Sequence, residues 1–190
     1  PVLYPTSRLQ PVSRMRCGRP MRFAPFPLGI LFAVSITTSG FAADVLTETL
    51  QKTFPATAGG KLVIDADRGS ITVSGGSGNE VSVEVIRKVS RGSQKKAAEL
   101  LERHEVTMTQ DGGTIRVEAD LQGNDGWNFR GSNLEVSIRV SVPTEFQLDA
   151  RTAGGTVRVS GLKGDVSART AGGSLHFEDL EGKLLGRTSG

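Results

Sequence analysis

The sequence predicts an all-β protein with one short helix, in which an antiparallel strand region precedes a β-solenoid of 18-residue coils. Three observations predict this fold class: apolar and polar residues alternate with period two, glycine-rich turns separate the alternating stretches, and a short motif recurs at constant spacing. Residues 43–190 hold 21 of the 24 glycines, as expected for a turn-rich chain. Repeated units that cannot bury a core alone are typical of stacked architectures.

The first 42 residues differ in chemistry from the rest of the chain. They carry five arginines and no acidic residue, whereas the remaining residues hold 18 basic groups against 20 acids. Arginines precede an apolar stretch at residues 23–36 that is short for a membrane span, and Gly40 and Ala42 are small residues suited to cleavage. Residues 21–42 are therefore predicted to be a signal peptide, with an uncleaved membrane anchor as the alternative.

This reading sets the expected domain boundaries and location. We expect Met21 to be the natural start, residues 1–20 to be an upstream or non-native segment, and cleavage near Ala42 to release an extracytoplasmic domain over residues 43–190. Cys17, the only cysteine, lies before that domain, so we expect no disulfide in it. The near-neutral domain argues against a nucleic-acid partner, and we expect membrane contact only through the signal segment or a missing C-terminal anchor.

Alternating stretches predict strands near residues 62–66, 71–73, 81–85 and 136–142, and a hairpin joins residues 106–108 to 115–117 across the turn at 111–113. One segment has helical spacing instead. Ser93 is the predicted N-cap of a helix over residues 94–103, and Ala97, Leu100, Leu101 and His104 are expected on one helical face. We expect this helix to cover one face or end of the sheet.

An irregular loop over residues 122–132 contains the aromatic residues Trp127 and Phe129. Two aromatic rings in a glycine- and asparagine-rich loop could stack on a glycan. They could equally fold inward and pack against the sheet.

The strongest pattern is a repeat after residue 150. Arg-Thr-Ala-Gly-Gly at residues 151–155 recurs at 169–173, and Arg-Thr-Ser-Gly follows at 187–190, 18 residues apart both times. The constant step favours a solenoid, in which glycine forms the corners and equivalent residues stack in columns, over an antiparallel meander. An echo at residues 67–75 predicts that degenerate copies begin earlier, and we expect the domain to be truncated inside its repeats.

Stacking would place Arg151, Arg169 and Arg187 in one column, with the threonine that follows each arginine in a second column beside it. Like charges at strand spacing repel, so we interpret the arginines as an anion-facing surface able to make bidentate contacts with carboxylated or phosphorylated polymers. The alternative is a solvated corner whose arginine stems cover apolar surface.

Three motifs lead into the repeats: Gly-Gly-Lys-Leu-Val-Ile-Asp at residues 59–65, Arg-Gly-Ser-Ile-Thr-Val-Ser-Gly at 68–75, and Val-Ser-Val-Pro-Thr-Glu-Phe at 140–146. In this order, over roughly residues 50–190, they resemble the bacterial putative adhesin family, also called domain of unknown function 4097. The resemblance implies an extracytoplasmic β-strand-repeat module. It brings no catalytic residues with it.

These observations predict a non-enzymatic cell-envelope protein, an adhesin or scaffold that binds envelope polysaccharide or another envelope protein through its repeated surface. The first alternative is an envelope-stress or regulatory accessory domain that contacts a membrane partner. A β-helical polysaccharide-active enzyme would need paired carboxylates, for which Asp65 with Asp67, and Glu178 with Asp179 near His176, are the candidates. We expect no cofactor, and no metal site at residues 75–80 or at either histidine.

Overall fold

The computed structural model describes residues 32–35, 46–56, 58–122 and 134–190. This part of the chain is mostly β, with one short helix and two mixed sheets that are not closed. The elements in chain order are β1 (Phe32–Ser35), β2 (Leu46–Pro55), β3 (Gly60–Ala66), β4 (Ser70–Gly76), β5 (Glu80–Val89), α1 (Gln94–Arg103), β6 (His104–Asp111), β7 (Thr114–Leu121), β8 (Leu134–Pro143), β9 (Phe146–Thr152), β10 (Val157–Ser160), β11 (Val166–Thr170), β12 (Leu175–Glu178) and β13 (Leu184–Thr188).

The strands are divided between two sheets, and from β7 onward successive strands alternate between them. The first sheet, sheet A, has the order β1-β2-β5-β8-β4-β10-β12, and the second, sheet B, has the order β13-β11-β9-β3-β7-β6. Strands β2, β5 and β8 pair in antiparallel fashion, as do β6 and β7 around the turn at residues 111–113. The predicted hairpin is therefore confirmed, with Met108 opposite Val117 and Val106 opposite Ala119.

The repeats pair in parallel and in register. Strand β11 lies between β9 and β13 in sheet B, and β10 lies between β4 and β12 in sheet A. Val157 pairs with Leu175 and Val166 pairs with Leu184, an offset of 18 residues in both sheets. The antiparallel meander is therefore wrong for this region. The echo at residues 67–75 is confirmed, because Ile71 pairs in parallel with Val157.

Alternation along the strands places one set of side chains between the two sheets. In β3 the residues Leu62, Ile64 and Ala66 are buried while Lys61 and Asp65 are exposed, as period two requires. The largest fully buried apolar side chains are Phe54, Leu62, Ile64, Ile71, Ile115, Ile138, Phe146 and Leu162. The core therefore lies between the sheets, and the other face of each sheet is free to carry polar side chains.

Helix α1 begins as predicted, with the Ser93 side chain accepting a hydrogen bond from the backbone N–H of Lys96 at 3.4 Å. Its buried residues Ala97 and Leu101 join the core, and the helix contacts β2 of sheet A and β6 of sheet B. The helix therefore covers the core beside these two strands. In the described ranges, no helix has the length and apolar character needed to cross a membrane.

The predicted signal segment is described only at β1, whose four residues pair with β2. Its other residues, like residues 1–20 and the loop that holds Trp127 and Phe129, lie outside the described part.

Candidate functional site

The three arginines of the repeat lie in one column on the outer face of sheet B. Arg151 pairs in register with Arg169, and Arg169 with Arg187, on β9, β11 and β13. All three side chains are exposed. Neighbouring parallel strands are about 4.8 Å apart, so the first and third arginines are separated by roughly 10 Å at the backbone. We call these three residues the arginine column.

Carboxylates continue this column on the next two strands. Asp65 of β3 pairs in register with Arg151, and Glu118 of β7 pairs with Asp65. Arg151 also forms an ion pair with Asp149, with 3.2 Å between Nη2 and Oδ2. Arg169 and Arg187, in contrast, form no ion pair with any carboxylate of the described residues. The positive end of the column is therefore at β11 and β13.

The first two threonines that follow the arginines are buried, which corrects the expectation that all three flank the arginines on the surface. Thr152 and Thr170 are buried. The Thr170 hydroxyl lies 3.1 Å from the carbonyl oxygen of Gly155, in the preceding repeat, and 3.2 Å from that of Gly172 in its own. Each threonine therefore bonds its repeat to the one before, which explains why the residue recurs.

The second glycine of the motif has a steric reason to recur. Gly155 has φ +127°, and a Cβ there would lie 2.3 Å from the carbonyl oxygen of Gly69. Gly173 has φ +139°, and its Cβ would lie 2.3 Å from the carbonyl oxygen of Gly155. The corner therefore tolerates only glycine, both for its left-handed backbone and for the close approach of the neighbouring repeat.

A groove of about 250 Å³ lies beside the arginine column on the same face of sheet B. We call it the outer groove. Its lining includes Lys61, Gln147, Asp149, Asp165, Ser167, Lys183 and Leu185. Residues 149, 167 and 185 form an in-register column two positions along each strand from the arginines. The motif search missed this groove because these positions differ in every repeat, so only their shared spacing could have identified them.

A second polar cluster joins α1 to the corner after β3. His104 is fully buried, and its Nε2 lies 3.6 Å from Oδ1 of Asp67, whose Oδ2 pairs with Arg68 at 3.2 Å. Burial by itself raises the pKa of Asp67, but the His104 imidazole and the Arg68 charge outweigh it and hold that pKa below 3.8. The sequence did not indicate the contact with His104, because His104 is 37 residues away along the chain.

The neighbouring acid Asp120 is shifted in the opposite direction. Partial burial, together with the charges of Asp67, Asp65 and Glu118, raises the pKa of Asp120. The excess of carboxylates at the ends of β3 and β7 therefore stores some electrostatic repulsion.

The buried guanidinium of Arg87 also binds the C-terminal end of α1. Its Nη1 donates to the carbonyl oxygens of Leu101 and His104, and its Nη2 pairs with Glu48 of β2. A cation at the C-terminal end of a helix satisfies carbonyls that have no partner within the helix. We assign this cluster a structural role.

The remaining candidates of the sequence are separated. Asp65 lies exposed on the outer face of sheet B, whereas Asp67 is half-buried against His104. His176 and Glu178 lie on β12 of sheet A, followed by Asp179 in a left-handed turn with φ +50°. Among the described residues, no group of three or more His, Cys, Asp or Glu side chains is placed to hold a metal ion. Trp127 and Phe129 lie outside the described residues, so their stacking role stays a prediction.

No family model matches the sequence, and no curated protein matches it. Among solved structures, the chain is similar to a putative cell adhesion protein from Clostridium sporogenes, with 8% identity and a TM-score of 0.37 over 73% of this chain and 98% of that one. It is also similar to a putative lipid binding protein from Parabacteroides distasonis, with 12% identity and a TM-score of 0.33 over 72% and 62%.

A putative adhesin from Parabacteroides merdae has 9% identity and a TM-score of 0.35, over 68% of this chain and 51% of that one. Overlaps with TM-scores below 0.5 do not establish a shared fold. Neither the fold nor the function of this chain is therefore inferred from these structures.

Proposed function

We propose that this protein is a non-enzymatic, extracytoplasmic adhesin or scaffold that binds anionic envelope polymers through the outer face of sheet B. One observation carries the proposal. Arg169 and Arg187 lie next to each other on parallel strands, exposed, with no ion pair to a described carboxylate.

Electrostatics explains why this pair favours an anionic ligand. Two like charges at strand spacing repel each other, and an anion bound between them removes the repulsion. Each guanidinium can also donate two parallel hydrogen bonds to one carboxylate or phosphate. Arg151 contributes less, because Asp149 already neutralises it.

The parallel pairing of the repeats also supports a β-solenoid fold. We infer that the 18-residue repeats are coils of a β-solenoid, since each complete repeat contributes one strand to each sheet. The three motifs behind the family resemblance are neighbours in this arrangement. Residues 59–65 cover most of β3, residues 68–75 lead into β4, and residues 140–146 run from the end of β8 into β9, which pairs with β3. This adjacency supports membership of the bacterial putative adhesin family.

The separation of the predicted carboxylate pair, with Asp65 exposed and Asp67 half-buried against His104, favours a binding role over a catalytic one. A general acid for glycoside cleavage needs a raised pKa. Asp67, one of the two carboxylates in the sequence-predicted pair, has a lowered pKa because His104 and Arg68 outweigh its burial. The pKa of Asp120, in contrast, is raised. If the protein releases reducing ends from polygalacturonate and Asp120→Asn abolishes that release, the protein is an enzyme instead.

The binding test uses the full chain and three polymers: polygalacturonate, inorganic polyphosphate and neutral dextran. We expect both anions to bind and dextran not to bind. The double variant Arg169→Gln/Arg187→Gln should lower the affinity for both anions by roughly tenfold or more, because each charge-assisted hydrogen bond contributes about 1.5–3 kcal/mol.

The matched control is Arg158→Gln, which removes an exposed arginine from β10 of sheet A, where it pairs in register with Thr72 and His176. This variant should bind like the wild type. Equal losses in the control and the double variant would mean that net charge, and not the arginine column, determines binding. Undetectable binding of both anions to the wild type would refute the proposal.

A further inference from the structure

The outer groove lies where a ligand held by the arginine column would extend. It is lined by the column at positions 149, 167 and 185, two residues along each strand from the arginines. At about 3.3 Å per residue, that separation is roughly 6.6 Å. One ligand can therefore contact both the groove and the arginines.

The groove combines hydrogen-bond acceptors with donors, which an anion-only site would not. Asp149 and Asp165 supply carboxylate oxygens, while Lys61 and Lys183 supply ammonium groups. Oδ1 of Asp149 is a buried oxygen with no hydrogen-bond partner within the described ranges, whereas Oδ2 pairs with Arg151. These carboxylates repel a bare phosphate but accept hydrogen bonds from hydroxyl groups, so they select a ligand that carries hydroxyls.

An apolar side chain lies at one end of the same groove. Leu185 is 57% exposed and belongs to the same in-register column as Asp149 and Ser167. A pyranose ring has both hydroxyl edges and an apolar C–H face, so it can use the polar side chains and Leu185 together. The volume of about 250 Å³ is below the roughly 300–1,000 Å³ of pockets for drug-sized ligands, which fits one ring.

We propose that the outer groove is a sugar subsite, and that the ligand of the arginine column is an acidic polysaccharide whose carboxylates contact Arg169 and Arg187. This inference rests on the proposed function. It adds that the protein distinguishes a carboxylated sugar polymer from other polyanions. A linear polyuronate is the simplest polymer with this chemistry.

The test compares two anions that differ in the sugar ring, oligogalacturonate and inorganic polyphosphate, on the full chain. Leu185→Ser should lower the affinity for oligogalacturonate roughly fivefold and leave the affinity for polyphosphate unchanged. A fivefold change corresponds to the loss of about 1 kcal/mol of apolar contact. Asp149→Ala removes a hydroxyl acceptor and frees Arg151. It should therefore increase the affinity for polyphosphate and lower the ratio of the oligogalacturonate affinity to the polyphosphate affinity.

Val63→Ser is the matched control, because Val63 continues the same column on β3, beside Asp149, but does not line the groove. It should change neither affinity. Circular dichroism and the melting temperature establish that each variant is folded before its affinity is compared.

The outcomes separate this inference from the proposed function. If Leu185→Ser and Asp149→Ala leave the affinity ratio unchanged while the wild type binds both anions, the subsite is wrong and the anion-binding face stands. If the wild type binds neither anion, the proposed function fails and the subsite fails with it.

Discussion

Replacing Thr170 with valine tests the stacking of the repeats. Valine has nearly the shape of threonine, so the substitution removes the hydroxyl and leaves the packing volume unchanged. The Thr170 hydroxyl lies 3.1 Å from the carbonyl oxygen of Gly155 and 3.2 Å from that of Gly172, in a corner where the side chain is only 3% exposed. Thr170→Val therefore leaves carbonyl oxygens facing a methyl group in a buried corner.

The expected loss follows from the cost of an unsatisfied buried polar group, about 1–3 kcal/mol. Gly172 O still accepts a hydrogen bond from the backbone N–H of Gly155 at 2.8 Å, so we expect the lower part of that range, about 1–2 kcal/mol. In a domain of this size, 1 kcal/mol corresponds to a fall of about 2–4 °C in melting temperature.

The chain contains its own control for this prediction. Thr188 makes the same contacts one repeat later, 3.1 Å from the carbonyl oxygen of Gly173 and 2.9 Å from that of Gly190, but it is exposed. In the Thr188→Val variant, water can hydrogen-bond to these two carbonyl oxygens in place of the hydroxyl. The free energy of unfolding should therefore fall by less than about 0.5 kcal/mol.

Urea unfolding at 25 °C measures both free energies, and an unchanged m-value shows that each variant unfolds from the same compact state. Equal losses at the two positions would refute the reasoning that burial of the repeat corner determines the cost.

Three further substitutions test separate parts of the structure. Gly155→Ala should destabilise the protein by more than Thr170→Val, because its Cβ would lie 2.3 Å from a backbone oxygen; similar melting temperatures for the two variants would contradict the close approach of the repeats. Asp67→Asn should destabilise the protein at pH 7, and the difference should disappear as the pH falls below 3.8, because a lowered carboxyl pKa stabilises the fold only while the group is ionised; a pH-independent difference in urea unfolding would contradict this. Asp120→Asn should stabilise the protein at neutral pH, because the raised pKa of Asp120 means that the fold disfavours its ionised form; an unchanged or lower melting temperature at pH 7 would contradict it.

Local patterns in the sequence predicted the elements well, because each depends on near neighbours. Period-two alternation identified the buried residues of β3, and Ser93 marked the start of α1. The 18-residue spacing predicted that Arg151, Arg169 and Arg187 would share one column, since equal spacing along a parallel stack forces equal register.

The spatial order of the strands could not be predicted in this way. In sheet A, β4 lies between β8 and β10, and in sheet B, β3 lies between β7 and β9. Each of these strands is therefore paired with two strands that come much later in the chain. Pairing of this kind depends on long-range contacts that no repeat records. For the same reason the sequence did not indicate that Asp65 and Glu118 continue the arginine column.

The sequence predicted the arginine column of the candidate site but not the outer groove. A motif search finds positions that stay constant, and the arginines are constant at residues 151, 169 and 187. The outer groove depends on the positions that vary, from Asp149 through Ser167 to Leu185, and these become neighbours only when the strands stack. Variation at a fixed register position is therefore where ligand selectivity would arise in such a fold.

The proposed function depends most directly on contact between an acidic sugar polymer and Arg169 and Arg187, which have no ion pair with a described carboxylate. Nuclear magnetic resonance of the arginine Nε–H groups, followed while oligogalacturonate is added to ¹⁵N-arginine-labelled protein, observes that contact at each residue. We expect saturable shifts of the Arg169 and Arg187 signals and an unchanged signal for Arg158 on sheet A. Binding that shifts Arg158 equally, or that leaves Arg169 and Arg187 unchanged at saturation, would contradict it.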